Sequence, residues 1–189
     1  MNLPLYKLVI DDENAGVDFI ALVDNPAIEI NWLAFDKSKE IKFVAKEDRK
    51  IISGPLMLAE TPIYRRDAGG EYNVVFDAQT IEKIAQRYFK NQFTSNINEM
   101  HDPKKKVEGV HMFESFIIDE SRGIRTPEGF DKLPEGSWFG SFKVDNQEVW
   151  DDFIKTGIFK GFSVEGVFNY EPIEMHDHVA IDAIIEALK

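Results

Sequence analysis

The sequence predicts an α+β fold carried on a mostly antiparallel β-sheet or barrel. Three observations predict it. Short apolar runs with two-residue alternation recur along the chain, only two or three stretches carry helical periodicity, and strands and helices do not alternate in a βαβ rhythm. The 189 residues are 43% hydrophobic and 12% aromatic, with fifteen Phe, enough to bury a substantial core. No internal repeat is visible.

Residues 1–50 read as an N-terminal arm or small β-rich extension, and 51–189 as the domain that carries the chemistry. In the arm, Leu5 to Ile10 and Phe19 to Val23 are strand candidates, ended by Asp11-Asp12-Glu13-Asn14 and Asp24-Asn25-Pro26. Trp32 to Phe35 and Ile41 to Ala45 add two shorter apolar runs. Ile51 to Leu58 reads as a strand, with Gly54-Pro55 marking a bulge or edge position. Residues 62–66 and 71–76 flank Asp67-Ala68-Gly69-Gly70, a hairpin signal. Asp77 is placed to cap a helix whose apolar residues Ile81, Ile84, Ala85, Tyr88 and Phe89 recur at helical spacing, ending near Asn91. Strands are expected over Val107 to Ile118 and Ser137 to Val144, separated by a Gly-, Pro- and charge-rich loop. Asp145 would cap a second helix through Val149, Trp150, Phe153 and Ile154, stopped by Gly157. A last strand runs from Ile158 to Tyr170, and Val179 to Leu188 is a short amphipathic helix candidate.

Composition removes several function classes. With no cysteine, disulfide frameworks, thiolate metal sites and cysteine nucleophiles are excluded. A net charge of −12 argues against nucleic acid as a partner, because phosphate neutralisation needs clustered Lys and Arg. Lys104-Lys105-Lys106 is short, flanked by acids, and reads as a solvated loop. No apolar segment reaches transmembrane length and no signal-peptide pattern opens the chain, so no membrane role is expected and the protein is expected to act inside a cell.

The chemistry concentrates in Lys160-Gly161-Phe162-Ser163-Val164-Glu165-Gly166. Alternation sends Phe162, Val164 and Phe168 to one face of the strand and Ser163, Glu165 and Val167 to the other, so a hydroxyl and a carboxylate sit side by side. A serine hydroxyl needs a base to become a nucleophile, and His101, beside Asp102 and Pro103, is the candidate. On the 107–118 strand, Val110, Met112, Phe116 and Ile118 are expected on one face with Glu114 among them. Such a carboxylate is either salt-bridged at a sheet edge or orients a histidine ring. His111 falls on the opposite face.

In order, Met100-His101-Asp102, Val110 to Glu114-Ser115-Phe116-Ile117, Gly136-Ser137-Trp138, Trp150 to Gly157 and Gly161-Phe162-Ser163 together resemble the phage prohead serine protease family related to XkdF, over roughly residues 52–168. That family is similar in fold to the herpesvirus assemblins, which implies a small β-barrel with surrounding helices and a histidine and a serine on neighbouring strands. The resemblance implies His101 as general base and Ser163 as the acyl-forming nucleophile. It implies an endopeptidase that enters the procapsid in the host cytoplasm, cleaves scaffold and major capsid protein, cuts itself and forms a homo-oligomer, without cofactor or metal. For the third catalytic residue Glu114 matches the family's Glu-Ser pair. Asp102 follows the histidine, and Glu171, Glu174, His176, Asp177, His178 and Glu186 follow the serine outside any matching motif.

Two other readings stand beside this one. The same fold could serve as an inactive, capsid-associated structural or scaffold-binding protein. His176-Asp177-His178, with His101, could chelate a metal, although acids and histidines in such a tail are more often solvated.

Overall fold

A computed structural model describes residues 3–10, 15–24, 44–46, 49–130 and 132–173. The expected tail helix, the Trp32 to Phe35 run and His176-Asp177-His178 lie outside these residues. The strands are β1 (Leu5–Val9), β2 (Gly16–Val23), β3 (Val44–Lys46), β4 (Ile51–Met57), β5 (Ile63–Asp67), β6 (Gly70–Val75), β7 (Ile97–Glu99), β8 (Asp102–Lys106), β9 (Val110–Ile117), β10 (Trp138–Val144), β11 (Gly161–Val167) and β12 (Asn169–Pro172). They form three four-stranded sheets, ordered β12-β1-β6-β5, β3-β4-β10-β9 and β11-β2-β7-β8. Pairing is antiparallel except between β1 and β6 and between β2 and β7.

The structure is α+β and mostly β, as expected, but the sheets do not close into a barrel. Closure would need β11 to pair on its outer side. The strand beside it, β4, already pairs with β10 along its length and with β3 over Ile51–Ser53. β4 therefore packs against β11 without a hydrogen-bonded ladder. Residues 5–9 and 16–23 are built into the sheets, β1 between β12 and β6 and β2 between β11 and β7.

Local signals account for several elements. Asp77 is the N-cap of helix α1 (Ala78–Lys90), its carboxylate accepting from Thr80 N–H at 2.6 Å and pairing with the Lys7 ammonium. The apolar face of α1, including Ile81, Ile84 and Tyr88, is buried, while Phe89 is exposed. The hairpin of β5 and β6 turns on Ala68-Gly69, and Asp67 Oδ1 accepts from Gly69 N–H at 2.7 Å. The second helix is a single π-helical stretch, Val149–Ile154. Its N-cap position is Glu148, without a side-chain cap bond, and Asn146 Oδ1, one residue after the expected Asp145, accepts from Val149 N–H at 3.1 Å.

The main core joins the sheets to α1. Phe142 and Phe162 meet with ring centroids 4.6 Å apart, and Tyr88 sits edge-on to Trp138 at 5.4 Å. Val164 and Phe168 pack against the same cluster, so the apolar face expected for the serine strand is the core face. A smaller cluster of Leu58, Ile118, Leu133 and Phe139 lies on the other side of β10, where Phe116 stacks on Phe139 at 5.1 Å.

Candidate active site

β11, β2 and β7 bring the chemical residues into one row. Ser163 lies opposite Ala21 on β2, and Ala21 lies opposite Asn98 on β7. Two strand spacings, about 9.5 Å, therefore separate the Ser163 and Asn98 backbones, with only the Ala21 methyl between. Ser163 is 4% exposed, and Ala21 and Asn98 are fully buried.

His101 sits at the end of this row. β7 and β8 are joined by the two-residue turn Met100-His101, both residues left-handed, with φ of 51° and 59°. Positive φ at both central positions is the geometry of a type I′ hairpin, normally filled by Asn and Gly. A bulky Met and a His there hold the backbone in a sparsely populated conformation, a form of strain that gathers at functional sites. The turn is tied to the sheet through Met100 N–H, which donates to Leu22 O at 3.1 Å.

Glu165 links the two ends. It leaves β11 on the Ser163 face, reaches across β2, and accepts from Asn98 Nδ2 at 2.7 Å. The same oxygen, Oε2, lies 3.7 Å from His101 Nδ1, an ion-pair separation longer than a hydrogen bond. Asn98 Oδ1 is buried and has no hydrogen-bond partner among the described residues. Glu165 also acts on Asp18 of β2, whose pKa is raised by burial and by the Glu165 charge. Asp102 is engaged in its own turn, its Oδ1 accepting from Lys104 N–H at 3.0 Å.

Immediately after Glu165 the sheet is bulged: the register slips between Glu165 and Gly166, where β11 presses against β2. A Cβ built on Gly166 would lie 1.8 Å from Gly16 O and 2.7 Å from Gly16 C. Only glycine permits this approach.

Glu114 is not part of this constellation. It lies on β9, in another sheet, exposed, opposite Ser141. The expected placement among core residues fails because of a β-bulge. Glu114 pairs with Ser141 and Met112 with Phe142, which leaves Phe113 as an extra residue, 48% exposed. Val110 and Met112 therefore face the main core, while Phe116 and Ile118 pack in the smaller cluster across β10. Ser115 has a structural partner, accepting from Trp138 Nε1–H at 2.7 Å.

Residues 40–171 match the model of a family described as "Putative phage serine protease XkdF". The chain belongs to this family. The match covers His101, Ser163 and Glu165, while β1 and β2 precede it. No curated protein and no solved structure matches the chain. Two features of this family member's site are not found by reading the sequence alone. Asn98 leads into the histidine stretch, and its only signal there is a polar residue beside Ile97 in a buried run. Glu165 is visible as the serine's facial neighbour, but its proximity to His101 depends on the parallel pairing of β2 and β7, which no local pattern encodes.

Among the described residues no strand pairs with the other side of β11. Ile20 N–H donates to Asn96 O and Leu22 O accepts from Met100 N–H, so these residues of β2 turn their polar groups toward β7. By alternation Ala21 faces β11, Ser163 turns its N–H and C=O to Ala21, and Val164 turns its own away from β2. Among the described residues Ser163 Oγ has no hydrogen-bond partner. No group of three or more His, Asp or Glu among them could hold a metal ion, and no described helix is long and apolar enough to cross a membrane.

Proposed function

We propose that this member of the phage serine protease family is the endopeptidase of procapsid maturation, with Ser163 as nucleophile, His101 as general base and Glu165 as the carboxylate that orients the ring. The observation that carries the reading is the meeting of the Ser163–Glu165 face of β11 with the His101 turn across a single alanine. Glu165 takes the role that the family resemblance gives to Glu114, because Glu165 is the carboxylate within ion-pair distance of the ring.

In the reaction, the imidazole swings over Ala21 toward Ser163 and takes the Oγ proton as Oγ attacks the peptide carbonyl carbon. Glu165, held by Asn98, stabilises the positive charge that develops on the ring. The Val164 N–H, turned away from β2, is the backbone donor we assign to the oxyanion. The imidazolium then gives its proton to the leaving amine, leaving an acyl ester on Ser163. A water, deprotonated by His101, attacks that ester and regenerates the serine. The ring has to close on both partners for this to occur, a tightening that substrate binding commonly produces.

The substrates we assign are the scaffold and major capsid proteins, with self-cleavage, by a homo-oligomer inside the procapsid. The second reading, an inactive structural protein of the same family, has in its favour the unpartnered Ser163 Oγ. Co-expression with the phage's own capsid and scaffold proteins separates them. Processing by the wild type that is lost in Ser163→Ala and in His101→Ala supports the protease; identical patterns in all three refute it.

A further inference from the structure

We infer that Asp18 of β2 is a positioning residue for the site: its carboxylate, turned onto the Ser163 face by a bulge, repels Glu165 toward Asn98 and His101. The inference rests on the protease reading and adds to it a residue outside the family match. The pairing shows the bulge. Glu165 lies opposite Phe19 and Gly166 opposite Val17, so Asp18 is an extra residue on β2. Burial shows the same change of phase. Leu22 and Ile20 alternate into the main core, and strict alternation would send Asp18 after them, but Val17 takes that place at 4% exposure. Asp18 is exposed and Phe19 partly buried, both on the side of the sheet away from the core. That side is the one that carries Ser163 and Glu165, since Phe162 and Val164 face the core. Asn96 Nδ2 donates to the Asp18 carbonyl at 3.2 Å, which ties the bulged backbone to the β7 side.

The register gives the repulsion a direction. β7 runs parallel to β2 with Asn98 beside Ala21 and Glu99 beside Leu22, so the Met100-His101 turn lies at and beyond the level of Leu22. Glu165 starts further back, at the level of Phe19, and Asp18 lies further back still. Asp18 and His101 therefore stand on opposite sides of the Glu165 stem. The Glu165 side chain is 34% exposed, so its carboxylate can turn either way along β2, and a like charge on one side biases it to the other. Burial first, and then the Glu165 charge, raise the Asp18 pKa. The Asp18 charge is thus held at a cost to the fold, one that an uncharged Asn would relieve. Charges kept at such a cost gather where a site uses them.

The test is a double-mutant cycle in the full chain, comparing wild type, Asp18→Asn, Glu165→Gln and the double variant, with Ser163→Ala as the blank. Initial rates of scaffold-protein processing give kcat and KM, and thermal melting at neutral pH gives stability. Asp18→Asn should lose roughly three- to tenfold in kcat with KM unchanged, while its melting temperature equals or exceeds that of wild type. In the Glu165→Gln background the same substitution should change kcat no further, because no charge is left for it to direct. A loss of activity together with stability would mark a structural role and overturn the inference. Unchanged kcat in Asp18→Asn, or an equal further loss in the double variant, would also overturn it. Each of these results leaves the protease reading standing, whereas no Ser163-dependent processing by the wild type removes both.

Discussion

Replacing Glu165 by Gln removes the charge beside His101 while keeping an oxygen to accept from Asn98 Nδ2. At the observed 3.7 Å, a carboxylate and an imidazolium attract by about 1 kcal/mol in water and about 4 kcal/mol at the effective dielectric of a protein surface. The side chains of His101 and Glu165 are 41% and 34% exposed, so solvent screening pulls the value toward the lower end. About 2 kcal/mol of transition-state stabilisation remains, which corresponds to roughly a 30-fold loss in kcat/KM. The loss should fall on kcat, because the imidazolium forms only during reaction. Glu114→Gln, exposed on another sheet, should stay within about twofold of wild type, inside the ordinary range of surface substitutions. The assay is the initial rate of scaffold-protein processing by purified chain over a range of substrate concentrations. A large loss in Glu114→Gln, or near wild-type activity in Glu165→Gln, would refute the assignment.

Three other perturbations report on the frame around the site. Gly166→Ala should destabilise the chain by about 3 kcal/mol, the upper end for overpacking, because its Cβ meets backbone rather than a movable side chain; urea unfolding measures it, and an unchanged midpoint would contradict the close approach of β11 and β2. Asn98→Ala should lower kcat with little change in KM, because Glu165 loses the donor that holds it; equal losses in both constants would instead indicate a binding role. Asp77→Ala should cost about 1 kcal/mol at neutral pH as a lost helix cap. Burial works to raise the Asp77 pKa, but the Lys7 ammonium and Thr80 hold it below the ordinary carboxylate range. The cap's electrostatic contribution is therefore fully present above about pH 4 and lost as pH falls through the lowered folded value. The stability gap between the two proteins should narrow in acid, and a gap that widens there would reverse the sign of the argument.

Much of the architecture was legible because its causes are local. Asp77 followed by apolar residues at helical spacing specifies α1, and the Asp67 to Gly70 run specifies the β5–β6 hairpin. Strict alternation likewise separates the two faces of β11, with Phe162 and Val164 in the core and Ser163 beside Glu165. Reading failed where one residue changed the phase. The extra Phe113 in β9 separates the Val110–Met112 face from the Phe116–Ile118 face, so alternation put Glu114 on one face with Val110 and Met112, which the bulge turns away from it. Strand order was hidden for a different reason. The row from Ser163 through Ala21 to Asn98 joins segments distant in sequence, and a parallel β2–β7 pair leaves no turn between them to announce it.

The position of β2 sets the order in which the site can assemble. Ala21 and Ser163 lie near opposite ends of the 189 residues, yet they are adjacent in the sheet. During synthesis the histidine turn and β2 leave the ribosome well before β11 exists to join them. A growing chain therefore carries His101 before Ser163, and the two come into one sheet only when β11 arrives. The same geometry means that a fragment cut to the family match, residues 40–171, lacks the strand between Ser163 and Asn98. Such a fragment would contain both His101 and Ser163 without the strand that joins β11 to β7.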